Sequence, residues 1–285
     1  MRSVQGDNDQ LGLAKQQIHA EAYVQGHIEA ALHIEAALQG HGRVDRFRQQ
    51  RGADAGQRWI SDHTVSTINN MINSIDSDTI MMLVNAVYFK ARWLTDFDGS
   101  QTYARSIDGR QVPFMRSSDM QARYVAVDGV IKLQLKYRSD AHSMVIRMAD
   151  NGVKHVCVDD IEKMINGDIM PSRIDLHMPK FQIDTKTGLN GYLQRLGVNS
   201  IFTPSTTRWQ GITDSTEILV SSVLHQSKVN VNESGTEAVA VTAIIVGITA
   251  MQMDPLISVI LEKPFPFSIY GSESKSVLFS GAIFN

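Results

Sequence analysis

The sequence predicts an α+β fold built on large, mixed and mainly antiparallel β-sheets. Two observations carry that expectation. Helical spacing is concentrated early in the chain, while runs rich in Val, Ile, Tyr and Phe dominate from residue 79 onward. Those runs are separated by short turns marked by Gly, Asp and Ser, which favours antiparallel pairing.

Residues 1–57 are rich in Gln, His, Ala and Gly and contain the direct repeat HIEAALHIEAAL at 27–38. Ala, Glu and Leu favour a single modest helix there, with Ile28, Ala31, Leu32, Ile34 and Leu38 as its apolar face. From 58 the texture changes and no linker follows, so 58–285 reads as one domain. RWISDHTVSTINNMINSI (58–75) reads as a helix, a turn and a second short helix. TIMMLVNAVYFKARW (79–93) has the continuous apolar character of a central buried strand.

RYVAVDGVIKLQLKY (123–137) and SMVIRM (143–148) read as strands joined by turns at Asp128–Gly129 and Ser139–Asp140. RIDLHMPKFQID (173–184) alternates, with Ile174, Leu176 and Met178 on one face, as a half-buried strand does. Leu189, Tyr192, Leu193 and Leu196 fall at helical spacing, and Gly197 ends that helix. EILVSSVLHQSKVNVN (217–232) is another strand, and PFPFSIYGSESKSVLFSGAIFN (264–285) forms a hairpin across GSESKS.

Composition narrows the function. The 285 residues are 43% hydrophobic with a net charge of -3, which argues against nucleic acid as a partner. Residues 1–17 lack the apolar run of a secretory signal, and AVAVTAIIVGITAM (238–251) is too short and too rich in Thr and Gly to span a membrane. No GxSxG elbow, P-loop, dinucleotide fingerprint or Cys-x-x-Cys pair occurs, so neither an enzyme nor a cofactor is expected. Cys157 is the single cysteine and reads as structural, because His155 falls in poor geometry to activate it. His19, His27, His33 and His41 do not stack on one helical face, so no metal site is expected.

One stretch stands apart. VNESGTEAVAVTAIIVGITA (231–250) is β-branched, free of proline and uncharged after Glu237, the profile of a strand seeking a sheet. From Thr236 the even positions are Thr236, Ala238, Ala240, Thr242, Ile244, Val246 and Ile248, all uncharged and small at first. That face can pack on a core without burying a charge. Periodicity alone fits an ordinary edge or core strand equally well.

Several segments, in order, resemble the serpin family: LVNAVYFKARWLTDF (83–97), LHMPKFQID (176–184), LGVNSIF (196–202), GITDSTEILVSSVLHQSKVNVNESGTEA (211–238) and KPFPFSIY with VLFSGAIFN (263–285). Before 58 only AYVQ (22–25) and RVDRFR (43–48) echo the family, whose first four helices and an early strand have no counterpart. The resemblance implies large mixed sheets with helices packed on one side, an exposed reactive loop at about 233–255, and an extracellular monomer. It further implies inhibition of a serine protease by loop cleavage, acyl-enzyme trapping and strand insertion. The alternative is a non-inhibitory or truncated serpin-fold binding protein.

On that resemblance the hinge comprises Glu233, Gly235, Thr236, Glu237, Ala238, Ala240 and Thr242. Counting from Gly235 by the family's usual interval places the reactive bond at Thr249–Ala250. A longer C-terminal side of the loop leaves Met251 and Gln252 open as alternatives. Small uncharged residues there suit an elastase-like or chymotrypsin-like target. Asn85 and His225 match a polar pair beneath the sheet opening, and Trp93 matches a tryptophan where the loop enters.

Overall fold

The computed structural model describes residues 20–21, 31–32, 46–76, 78–139, 141–150, 152, 156–204, 219–236 and 255–284. In chain order come β1 (Ala20–Glu21), β2 (Ala31–Leu32), α1 (Arg46–His63), β3 (Met82–Phe89), β4 (Ala91–Arg92), β5 (Asp98–Ile107) and β6 (Arg110–Val127). Next are β7 (Val130–Lys136), β8 (His142–Ala149), α2 (Val158–Asn166), β9 (Pro171–Pro179), β10 (Phe181–Gly188) and α3 (Asn190–Arg195). The chain closes with β11 (Ser222–Asn232), β12 (Gly235–Thr236), β13 (Ile257–Ile260), β14 (Phe265–Gly271) and β15 (Ser276–Ile283). It divides into two compact units, the first holding 1–23, 29–88 and 183–228, the second 24–28, 89–182 and 229–285.

In the first unit β3 alternates between buried and half-buried positions, as expected of a strand covered by a helix. Met82, Val84 and Ala86 pack with Ala53 and Ile60 of α1 and with Ile68, Met71, Ile72 and Ile75. β11 pairs with both β10 and β3. Leu189 and Leu193, at the start of and within α3, pack on Met81, Val220 and Val223.

The second short helix expected within 58–75 does not form. Thr64 Oγ1 donates to the Ile60 carbonyl (2.7 Å) and accepts the Ile68 N–H (3.2 Å), closing the end of α1. Gln57 Oε1 then accepts the N–H groups of Met71 and Ile72, at 2.7 and 2.9 Å. A side chain thus takes donors that a helix would have used internally. Ala31–Leu32 likewise forms an antiparallel ladder with Ala20–Glu21 where the repeat suggested helix, because intrinsic propensity is a weak prior. The remainder of 27–38, including His27 and His33, lies outside the described residues, as do His19 and His41.

The second unit is organised by an eight-stranded sheet of order β13-β9-β6-β7-β8-β14-β15, with β5 beside β6. All its pairings are antiparallel except β13 on β9. Ile174, Leu176 and Met178 are fully buried on β9, matching their alternation in sequence. Asp128 (φ 51°) and Gly129 (φ 71°) supply the paired positive φ values of a tight hairpin between β6 and β7. β14 and β15 form the C-terminal hairpin.

α2 packs Ile161 and Met164 on Val145 and Tyr270. Cys157 is corrected from a structural, strand-borne residue to the exposed N-cap of α2. The two acidic residues that follow it, Asp159 and Asp160, favour a helix start there over continued strand.

His142 begins β8 and is buried, its ring 5.9 Å from that of Phe89. Burial pushes its pKa down to about 4, against about 6.5 in an unfolded chain. The unfolded state therefore binds the proton first, and stability falls as pH drops from about 6.5 to about 4. The expected loss from this group is about 3 kcal/mol across that window. Equilibrium urea unfolding at pH 7 and pH 4 checks it, with His142→Gln losing distinctly less than the parent.

Candidate functional site

β11 ends at Asn232, the chain turns through Glu233 and Ser234, and β12 returns beside it. Val231 pairs with Thr236 and Asn232 with Gly235. On its other side Gly235 pairs with Arg92 and Thr236 with Ala91 of β4. Gly235 and Thr236 are thus threaded between two strands, antiparallel to both.

Only glycine fits the first of these positions. Gly235 has φ +149°, and a Cβ there would sit 2.1 Å from the Ala91 carbonyl oxygen and 2.7 Å from Arg92 Cα. Thr236 is fully buried, with Oγ1 2.9 Å from the hydroxyl of Tyr137. Tyr137 is itself fully buried, stacked on Trp93 (centroids 4.5 Å apart, 11° between planes) and edge-on to Phe89 at 5.0 Å. Burial holds its phenol far above the usual range despite the bond to Thr236, so the hydroxyl stays protonated.

The turn is held as firmly. Lys180 Nζ lies 3.0 Å from Glu233 Oε1 and 2.9 Å from Oε2, and Thr102 Oγ1 donates to Oε1 at 2.7 Å. Burial alone would raise the Glu233 pKa, but these bonds outweigh it and the carboxylate titrates below its ordinary range. Trp93 Nε1 donates to the Asn232 carbonyl at 2.9 Å, and its backbone N–H donates to the Ser234 carbonyl at 3.1 Å. The Phe97 N–H donates to the Glu233 carbonyl at 2.8 Å.

Of the residues singled out in sequence, Trp93, Glu233, Gly235 and Thr236 come together here. Tyr137, Lys180 and Thr102 complete the group and were missed. Lys180 stands within a segment that resembles the family, but nothing in local spacing links it to Glu233.

Asn85 on β3 and His225 on β11 lie in the first unit. Asn85 Oδ1 and His225 Nδ1 are each buried with no hydrogen-bond partner among the described residues, so the expected pair is not joined through these atoms. Burial lowers the His225 pKa, which keeps the ring neutral at pH 7. Glu237, Ala238, Ala240, Thr242, Thr249, Ala250, Met251 and Gln252 lie outside the described residues. The chain is described again from Pro255, and β13 runs parallel to β9. Among the described residues no cluster of His, Cys, Asp and Glu has the makings of a metal site.

β12 thus runs between β11 and β4, led by a glycine. The profile of the family described as Serpin (serine protease inhibitor) matches residues 41–285. The chain belongs to the serpin family. An alpha-1-antitrypsin homolog from Cyprinus carpio is 32% identical over 252 residues, covering 85% of this chain and 66% of that protein. Iris from Ixodes ricinus is 29% identical over 256 residues, with the same coverage of 85% and 66%. This serpin therefore spans just under two-thirds of the length of those relatives.

Among solved structures, native protease nexin-1 with heparin superposes with a TM-score of 0.67 at 28% identity, over 85% of this chain and 68% of that one. Human thyroxine-binding globulin superposes with a TM-score of 0.68 at 23% identity, over 82% and 64% of the two chains, and shows the fold alone. The α+β serpin fold with large mixed sheets is thereby established, and several relatives carry names as serine protease inhibitors.

The turn geometry predicts the effect of reversing its charge. Glu233→Lys removes the acceptor of two side-chain donors and sets a second ammonium beside Lys180. A loss of about 2 kcal/mol is expected in urea unfolding at pH 7. Restoring the pair with Lys180→Glu on that background recovers most of it.

Proposed function

We propose that this serpin inhibits a serine protease, elastase-like or chymotrypsin-like, by sacrificing its loop at Thr249–Ala250. The observation that carries the reading is the position of Gly235 and Thr236 between β11 and β4, with the Thr236 side chain turned inward. In a strand continued from an inward Thr236, alternation would put Ala238, Ala240 and Thr242 on the inward face as well.

In the reaction the protease's serine oxygen attacks the Thr249 carbonyl. An ester forms, the Thr249–Ala250 peptide bond breaks, and the new amine leaves with a proton from the protease's histidine. Freed at that end, residues 237–249 extend β12 and part β3 from β11, which pair directly in the intact protein. An inserting strand breaks one ladder and makes two. The net gain is about 1 kcal/mol per residue over about ten residues, plus apolar burial, or on the order of 10 kcal/mol. That suffices to carry the tethered protease away from its deacylation geometry.

Thyroxine-binding globulin shares the fold and is named for a carried ligand, and this chain spans just under two-thirds of its relatives. A serpin-fold binding protein without trapping is therefore the second reading. Incubation with trypsin, elastase and chymotrypsin separates the two. A trap gives a denaturant-resistant complex of protease plus the chain to Thr249, a released peptide beginning at Ala250 by mass spectrometry, and a raised melting temperature after clipping. A binding protein is cut and released, with no change in melting.

Thr242→Arg places a charge on the inward face. Trapping by the variant is expected to fall at least tenfold while cleavage of its loop continues, as gel densitometry of complex against clipped product will read.

A further inference from the structure

We infer that the Tyr137 hydroxyl is a positioning group that keeps the hinge started in the sheet, and so sets the fraction of loop cleavages that end in a trapped protease. The inference rests on the inhibitory reading above and adds to it a residue 99 positions away from the hinge in sequence.

Tyr137 is fixed independently of the loop. Its backbone N–H donates to the His142 carbonyl (3.2 Å), it bridges to Trp93, and its ring is held between Trp93 and Phe89. The hydroxyl therefore occupies one place whether or not the hinge is present. Tyr137 and Thr236 are both wholly buried, so neither hydroxyl reaches water. While Thr236 is in the sheet each satisfies the other. When Thr236 leaves, its own hydroxyl regains water but the phenol is left buried and unpaired, and a buried orphan of this kind is costly. The pair acts as a catch that favours the started state.

A catch at this point bears on a race. After the loop is cut, hydrolysis of the ester frees the protease, whereas insertion traps it. A strand whose first two residues are already seated has its register set and part of its ordering cost met. Without the catch the hinge spends more time outside, insertion starts later, and a larger share of cleavages end in release. The attack on the loop itself precedes this race and does not use the bond.

The test uses the full chain, wild type and four variants: Tyr137→Phe, Thr236→Val, Thr236→Ser and the double variant Tyr137→Phe/Thr236→Val. Two readouts are taken with a protease that cuts the loop: moles of inhibitor consumed per mole of protease silenced, and the second-order rate of loop cleavage. Tyr137→Phe and Thr236→Val are each expected to raise the consumption ratio by about threefold or more, with the cleavage rate not lowered. Thr236→Ser restores the hydroxyl and with it the lower ratio, and the double variant is no worse than either single one.

A Tyr137→Phe ratio equal to wild type, or losses that multiply in the double variant, overturns the inference. Should Tyr137→Phe fail to fold, Thr236→Val against Thr236→Ser decides it with Tyr137 intact. If the wild type traps no protease, the inhibitory reading fails by itself. The catch is then read from the rate at which Trp93 fluorescence changes after the loop is nicked. A severalfold slower change in Thr236→Val supports it, and equal rates, or no change in any form, sink it.

Discussion

The passage of Gly235 between Asn232 and Arg92 is the constraint on which the packing of β12 depends. There is no room for a side chain there, since a Cβ would stand 2.1 Å from the Ala91 carbonyl oxygen. Because the backbone passes so close, Thr236 falls opposite Ala91 with its side chain inward and its hydroxyl against Tyr137. One missing methyl group thus allows the register of Gly235 and Thr236 between the two strands.

Around that point the second unit supplies rigidity from strands distant in sequence. Trp93 donates to the backbone on the β11 side, Lys180 and Thr102 hold the Glu233 carboxylate, and Phe97 takes the Glu233 carbonyl. Further along the chain β13 begins at Ile257 and pairs in parallel with β9.

The polar groups of the hinge contrast with those of the first unit. The hinge carboxylate and hydroxyls have partners, whereas Asn85 Oδ1 and His225 Nδ1 are buried without any among the described residues. Unpaired buried atoms of this kind destabilise, and the neutral state of His225 limits the cost by avoiding a buried charge.

Much of the architecture was legible in the chain. Alternation placed Ile174, Leu176 and Met178 inside, Asp128–Gly129 marked a hairpin, and Phe265–Gly271 with Ser276–Ile283 formed the closing one. These are local features, governed by side-chain period and φ preference, and a sequence carries them openly. Local reading failed where a distant or competing group intervened. Gln57 took the donors of a second helix, Cys157 became a helix cap, and Ala31–Leu32 joined a ladder. By itself, then, the sequence determined the buried alternation of β9, the turn at Asp128–Gly129 and the closing hairpin, and it singled out Gly235. Only the tertiary structure decided that Tyr137, Lys180 and Thr102 hold the residues around it, because contacts across 99, 53 and 131 residues come from how strands stack and from no spacing along the chain.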